Sequence, residues 1–491
     1  MSCPRRDTSL KLPHRIPRQS DGQFCLRHSA IERARWALAA VIVAALTSCS
    51  STADESAWGE PRRADDPPSR AAGRTAAAGA PVAAQTATQG PAAPDSDSAT
   101  SVTRPRLTRI TQCLEGEARG RVSMTDVHIS GDGKVIAFVA DLKTGFFGLD
   151  RVERLVIYDV ESGEPKSLKL EYGGETLVPV WRKFELSADG RLVGFLANEA
   201  YWDQPAKTLM FVSEWRAGTV EPIDVHRYGV DSSAGPVDME FSDDMSRVVV
   251  SLETNTGHAA GCLVIDRNRD EGHMLTPPAG GLPIEPSISG DGRFVAFENV
   301  LESNTPVAKP RGLWVHDLRS HTYELVPLER WADAQASEWL VQFHSPRISH
   351  SGRYIALLGS HEWTCGPLAG VLLVDRSAEM VSVISRDSTG KPTEAPCYHA
   401  SVAEEGGCVL FVSSANLLGD DPNEHFDVFR YDLETRRLLC VSTDGAGRTG
   451  NDYSFACDIA EDGRSIVFWS RASNLIPDDR NKVPDIFLWQ R

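Results

Sequence analysis

The densest grouping of chemistry-bearing residues lies near the C-terminus, in two loops of matched spacing. Asn416-Leu-Leu-Gly-Asp-Asp-Pro-Asn423 is followed, three residues later, by Asp427-Val-Phe429, and Asn474-Leu-Ile-Pro-Asp-Asp-Arg-Asn481 is followed at the same interval by Asp485-Ile-Phe487. Asp420, Asp421, Asn423 and Asp427, with Asp478, Asp479, Asn481 and Asp485, offer hard oxygen donors of the kind that suits Ca²⁺. The same residues have a purely structural use. Asn and Asp side chains accept backbone N–H groups and build the turn that leads into the next strand, and a structural role is the kind that recurs from unit to unit. Trp202 and Trp363 stand in loops of comparable position and are candidates for an exposed contact patch.

Established catalytic signatures are missing. The sequence contains no Gly-x-Ser-x-Gly elbow, no His-Glu-x-x-His, no P-loop, no dinucleotide fingerprint and no Cys-x-x-Cys pair. No catalytic residue is therefore assigned. Of the ten cysteines, seven lie beyond Cys49, so all of these cannot pair among themselves. Cys365 and Cys397 fall in connections that should share one face of the fold, where a disulfide is permitted if the chain is exported. Cys262, Cys408 and Cys440 sit in strand-like runs and read as buried thiols.

The elements that position these loops form a repeat. A turn between two apolar stretches occurs as Ser130-Gly-Asp-Gly-Lys134, Ser187-Ala-Asp-Gly-Arg191, Ser242-Asp-Asp-Met-Ser-Arg247 and Ser289-Gly-Asp-Gly-Arg293. It recurs as Ser349-His-Ser-Gly-Arg353, Ala403-Glu-Glu-Gly-Gly407 and Ala460-Glu-Asp-Gly-Arg464. Asp-Gly is a strong hairpin signal because glycine supplies the positive φ of a tight turn. A strand pattern such as Val135–Val139 or Ile466–Trp469 follows each turn. Most units then carry a strand ending in aspartate (Asp159, Asp266, Asp317, Asp375, Asp432) and a further strand. Seven units of four strands predict an all-β chain, a seven-bladed β-propeller of four-stranded antiparallel blades. The seventh unit stops at its third strand, and an orphan strand, Arg106–Thr111, precedes the first unit. The expectation is that this N-terminal strand completes the last blade and closes the ring, removing an open edge.

These units resemble the WD40-like (PD40) repeats of TolB-type propellers, through the Ser-x-Asp-Gly-Arg turn and its apolar strand, over residues 105–491. The resemblance implies a periplasmic or secreted binding scaffold. Ahead of the repeat, Arg33 and Arg35 precede an apolar run, Trp36–Leu46, that is too short to span a bilayer. Its end, Leu46-Thr47-Ser48-Cys49, resembles the lipobox of bacterial lipoproteins. That implies residues 1–48 are a signal segment, with cleavage before Cys49 and lipid attachment to its thiol. Ser50 after that cysteine implies, again by resemblance, sorting to an outer membrane with the propeller facing the periplasm. Residues 49–104, rich in Ala, Pro, Ser and Thr, cannot offset the entropy of ordering and read as a flexible tether.

The charge balance narrows the partner. Residues 1–48 hold eight Lys/Arg against three Asp/Glu, leaving a net of −22 on the rest of a chain whose total is −17. Nucleic acid, which needs a cationic face, is excluded as the expected partner. The expectation is a monomeric cell-envelope binding or scaffold module for a protein, peptide or glycan. The alternative is a lyase or hydrolase with its site at the mouth of the central channel. A convergence of His, Arg and carboxylates at that mouth, without a broad flat patch beside it, would favour the enzyme.

Overall fold

The computed structural model describes residues 105–111, 121–144, 150–168, 170–173, 175–198, 208–300, 311–340, 342–360, 370–419, 421, 423–477, 479 and 483–491. Seven four-stranded antiparallel sheets follow one another around a ring. Strands are named a to d, from the channel outwards. Blade 1 runs Arg121–Ile129, Val135–Thr144, Asp150–Asp159 and Glu164–Ser167, and blade 2 runs Val178–Leu186, Leu192–Asn198, Thr208–Glu214 and Thr219–Ile223. The inner strands of blades 3 to 6 are Ala234–Phe241, Leu282–Ile288, Gln342–Ile348 and Cys397–Ala403. Blade 7 contributes Ser454–Ile459, Ser465–Ser470 and Asp485–Gln490, and its outer strand is Arg106–Arg109 from the N-terminus. Arg106 pairs with Gln490 and Arg109 with Phe487, antiparallel, so the ring closes as the sequence implies. Among the described residues no helix is long and apolar enough to cross a membrane.

The repeat residues explain the hairpins. In blades 1 to 4 the turn serine donates to the aspartate two residues on, at 2.7, 2.7, 2.9 and 2.6 Å. That aspartate in turn accepts the amide of Lys134, Arg191, Ser246 or Arg293. The motif's arginine reaches the aspartate that ends strand c: Arg293 to Asp317 at 2.7 Å and Arg353 to Asp375 at 2.8 Å. The same aspartates accept the amides of the c–d turn, as Asp317 does from Arg319 at 2.8 Å. The Arg293 hydrogen bond and these amides hold the Asp317 carboxyl well below the usual range. One repeated string thus builds both turns on one face of blades such as 3 and 4. Where blade 5 lacks the aspartate, Glu404 of blade 6 substitutes, accepting from Ser349 at 2.9 Å and from the Ser351 amide at 2.8 Å.

Apolar residues of strands b and c fill the space between blades. Phe138, Phe195, Phe211, Phe297, Phe411, Phe468 and Phe487 are fully buried. Trp469 and Trp489 are buried too, and Trp215 donates its indole N–H to the Gly190 carbonyl at 2.7 Å. These tryptophans therefore pack the blades.

Candidate functional site

The site is built by strand a. Its pairing with strand b shifts register in all seven blades, through a bulge midway along the strand. Extra residues on one strand re-aim the side chains that follow. Two residues ahead of each a–b turn motif, or at the matching register in blade 6, stands a polar side chain: His128, Glu185, Glu240, Ser287, Arg347, Ser401 and Asp458. They form one layer around the channel. Several tie one blade to the next: Asp458 accepts the Ile129 amide at 3.0 Å, Glu185 the Phe241 amide at 2.8 Å and Glu240 the Ile288 amide at 3.1 Å. Arg347 of blade 5 passes over Ser287 of blade 4 and pairs with Glu240 of blade 3.

The electrostatics of this layer are uneven. Burial, then the neighbouring Glu240, pushes the Glu185 carboxyl up to about 8. Burial also raises Glu240, against the pull of Arg347. The Arg347 side chain keeps 48% of its surface accessible, so the channel at this level is wet. His128 lies 3.5 Å from Asp458 and edge-on to Phe184.

One layer further along, the a–b turns meet each other around the axis. The Asp132 amide donates to Ala188 O, Ala188 to Asp243 O, Asp243 to Gly290 O and Asp291 to His350 O, all at 2.7–3.0 Å. The Gly406 and Glu461 amides donate to Glu461 O and Gly131 O in the same way, and Glu404 serves between blades 5 and 6. Here His350 of blade 5 meets Asp243 of blade 3 at 2.6 Å, passing across Gly290. A Cβ on Gly290 would lie 2.5 Å from the Asp243 carboxylate and 2.6 Å from the His350 ring, which is why glycine is needed there. Burial and the Asp243 charge push the Glu461 carboxyl up to about 7.

At the opposite, b–c end, a recess of about 60 Å³ opens between the upper parts of blades 2 to 5. Lys183, Asp238, Glu253, Cys262, Glu285 and Arg347 are among its lining. Lys183 pairs with Asp238 at 2.9 Å, while Glu285 accepts from the Ser345 amide at 2.7 Å. The Cys262 thiol is buried and its pKa pushed up, so it is not a reactive thiolate.

The fold is similar to that of known propellers. The β-propeller domain of the Trilobed protease from Pyrococcus furiosus, described as having an open velcro topology, matches at 12% identity and a TM-score of 0.50, over 75% of this chain and 95% of that one. Oligogalacturonate lyase from Vibrio parahaemolyticus matches at 13% identity and 0.49, over 79% and 94%. Acylaminoacyl peptidase from Pyrococcus horikoshii matches at 11% and 0.46, over 72% of this chain and 49% of its own. At these identities the likeness concerns the fold alone. No family model and no curated protein matches the chain.

The acidic loops do something different from the channel. Asn416 accepts the Gly419 and Asp421 amides at 2.7 and 3.2 Å, Asp421 accepts the Asn423 amide at 3.1 Å, and Asn423 accepts that of His425 at 2.8 Å. Asp427 accepts the Ser442 hydroxyl at 2.5 Å, and its counterpart Asp485 accepts that of Thr111. Arg109 adds ion pairs to Asp479 and Asp485 at 3.4 and 3.6 Å. These contacts match the turn-building alternative, and in blade 7 they lock the N-terminal strand in place. Asp420, Asp478, Asn481, Trp202, Trp363 and Cys49 lie outside the described residues. So does Cys365; its suggested partner Cys397 is buried at the start of its strand, 3.5 Å from the Ser413 hydroxyl. Cys262, Cys408 and Cys440 are buried thiols, as expected.

The channel layer escaped sequence reasoning. A signal existed: each member stands two residues before the turn serine or alanine, but the residue type changes from blade to blade, so no motif marks it.

Proposed function

We propose that this propeller is a cell-envelope binding protein whose ligand enters the channel from the b–c face. The observation that carries the reading is the polar recess at the b–c end, in which Lys183 and Arg347 stand among Asp238, Glu253 and Glu285. Large exposed apolar side chains among the described residues are single ones, at Tyr172, Leu325, Met380 and Leu439. They make no patch suited to a flat protein interface. The recess is small, at about 60 Å³, and is proposed to take the end group of a longer ligand. Among the described residues of its lining, carboxylates outnumber Lys183 and Arg347 and none is aromatic. An amine-bearing end of an envelope peptide fits that chemistry better than a glycan.

The rest of the reading is carried by sequence. The Leu46-Thr47-Ser48-Cys49 string supports export and lipid anchoring at Cys49, in the outer membrane where there are two. The Ser-x-Asp-Gly-Arg turns support kinship with WD40-like (PD40), TolB-type repeats. Equilibrium binding of a library of short free-amine peptides, with Nα-acetylated twins, tests the site. Binding that needs the free amine and is lost in Asp238→Asn is expected; equal binding of the acetylated twins, or of oligosaccharides alone, overturns it.

A second reading, a lyase or hydrolase, is favoured by the convergence of His128, Glu185, Glu240, Arg347 and Asp458 on one wet layer with no flat apolar patch beside it among the described residues, the arrangement expected of an enzyme. Glu185 holds its proton to about pH 8 in a solvent-accessible layer beside Arg347, as a general acid at neutral pH does. Turnover of an envelope peptide or oligosaccharide that disappears in Glu185→Gln would establish it.

A further inference from the structure

Blade 4 and blade 5 depart from the repeat at two positions that touch. Strand b, three residues after the one paired to the residue preceding the turn serine or alanine, carries Val139, Leu196, Leu358, Val412 and Trp469 in five blades, and Ser251 in blade 3. Blade 4 has Glu298 there, fully buried. Opposite that position on strand a stand Ile284, Tyr398 and Phe455 in blades 4, 6 and 7; blade 3 has Asp238 and blade 5 has His344. Propeller packing calls for apolar residues at both places, and a buried carboxylate is expensive to desolvate. Blade 3 is polar at both places too, but Glu298 and His344 fall on adjoining blades and meet, with His344 Nδ1 3.2 Å from Glu298 Oε1.

A third donor joins them. Glu285 sits in the bulge of blade 4 with φ +48°, a backbone conformation that non-glycine residues rarely adopt. One donor atom from each of Glu285, Glu298 and His344 lies within 4.8 Å of the other two. Around a shared ion with bonds of about 2.1 Å, tetrahedral donors stand about 3.4 Å apart, so small side-chain rotations complete the set. We propose that Glu285, Glu298 and His344 bind a divalent transition-metal ion between blades 4 and 5. Two carboxylates and one imidazole suit Zn²⁺ or Mn²⁺ better than Ca²⁺ or Cu⁺. Three protein donors leave a further position for water or a ligand, and Glu285 also lines the recess. The inference is independent of the peptide reading: the ion needs no peptide, and a peptide can bind without it.

The test is isothermal titration of the full chain, purified with a chelator and dialysed free of it, with Zn²⁺ and in parallel with Mn²⁺. One equivalent of at least one ion is expected to bind, with affinity falling at least tenfold in His344→Ala and in Glu285→Gln. Glu285 is only partly buried, so its substitution tests the site even if Glu298→Gln does not fold; circular dichroism monitors folding. Absence of saturable binding means that His344 and Glu298 form an ion pair only, and overturns the proposal. So does a single bound equivalent that survives both substitutions. Peptide binding measured with chelator present reports on the proposed function separately.

Discussion

Deleting Pro105–Thr111 removes the outer strand of blade 7 and nothing else from the repeats. Ile110 is 1% exposed, within the cluster that joins blades 7 and 1, and burying such a side chain stabilises by about 2–3 kcal/mol. Leu107, partly buried beside Trp489, adds about 1 kcal/mol on the same scale. Asp485, 2% exposed, would lose Thr111 and Arg109, at about 1–3 kcal/mol for a buried acceptor left unmet. The sum is about 5 kcal/mol, against roughly 5–15 kcal/mol for a whole domain. Urea titration should therefore show a midpoint far below that of the parent. Emission from Trp489, buried against the missing strand, should shift to the red before any unfolding. The exposed edge should also promote aggregation. A deletion of equal length, 71–77, falls in the expected tether and should change none of these. Equal midpoints for the two truncations would refute closure by the N-terminal strand.

Three further outcomes follow from the channel and the anchor. Glu185 and Glu461 hold protons in the folded state above the ordinary glutamate value, so the folded chain binds more protons and stability falls as pH rises from about 4.5 towards 8. Denaturant midpoints across that range should decline, and Glu185→Gln should flatten the part between pH 7 and 8 while Glu461→Gln leaves it in place. Gly290→Ala should destabilise by about 1–3 kcal/mol through overpacking between Asp243 and His350, and adding His350→Ala should recover part of that loss; an unchanged midpoint in the single variant refutes the crossing. Cys49→Ala should move the protein from the membrane to the soluble fraction, and mass spectrometry of an unmodified mature N-terminus would sink the lipid anchor.

Much of the fold was legible because its determinants are local. A serine, an aspartate and a glycine within four residues make the a–b turn, and an aspartate closes the next one, so each unit announces itself. Closure was legible by elimination, from a seventh unit one strand short and an unclaimed strand before the first. Blade 6 shows where local reading thins: Ala403-Glu-Glu-Gly-Gly407 has no turn serine or aspartate, and Glu404 instead serves the turn of blade 5. The channel layer was not legible because its residue type changes from blade to blade, so no motif marks its fixed place two residues before the turn. The cluster of Glu285, Glu298 and His344 was hidden for a geometric reason. Strand parity counted from the turn holds only as far as the bulge, beyond which the register shifts. Glu285 falls in such a bulge and His344 just before one, so their approach to Glu298 depends on tertiary structure.

Repetition itself separates scaffold from site in this molecule. The serine, aspartate and arginine of the turn recur because each blade must make the same hairpin and brace the same c–d corner. The paired acidic loops recur for a similar reason, since Asp427 and Asp485 both anchor the start of strand c to a hydroxyl from beyond strand d. Evidence for a ligand must then come from positions where the repeat fixes the place of a side chain but leaves its type free. His128, Glu185, Glu240, Ser287, Arg347, Ser401 and Asp458 occupy one such position, with five residue types in seven blades. Inter-blade packing constrains a residue's bulk and polarity, whereas the channel constrains neither, and this ring is wide enough for Arg347 to stay half in water while reaching past Ser287 to Glu240. A ring built only for stability would be served by one residue type in every blade, as the turns are. Its variety is the ground for proposing a ligand site on the axis.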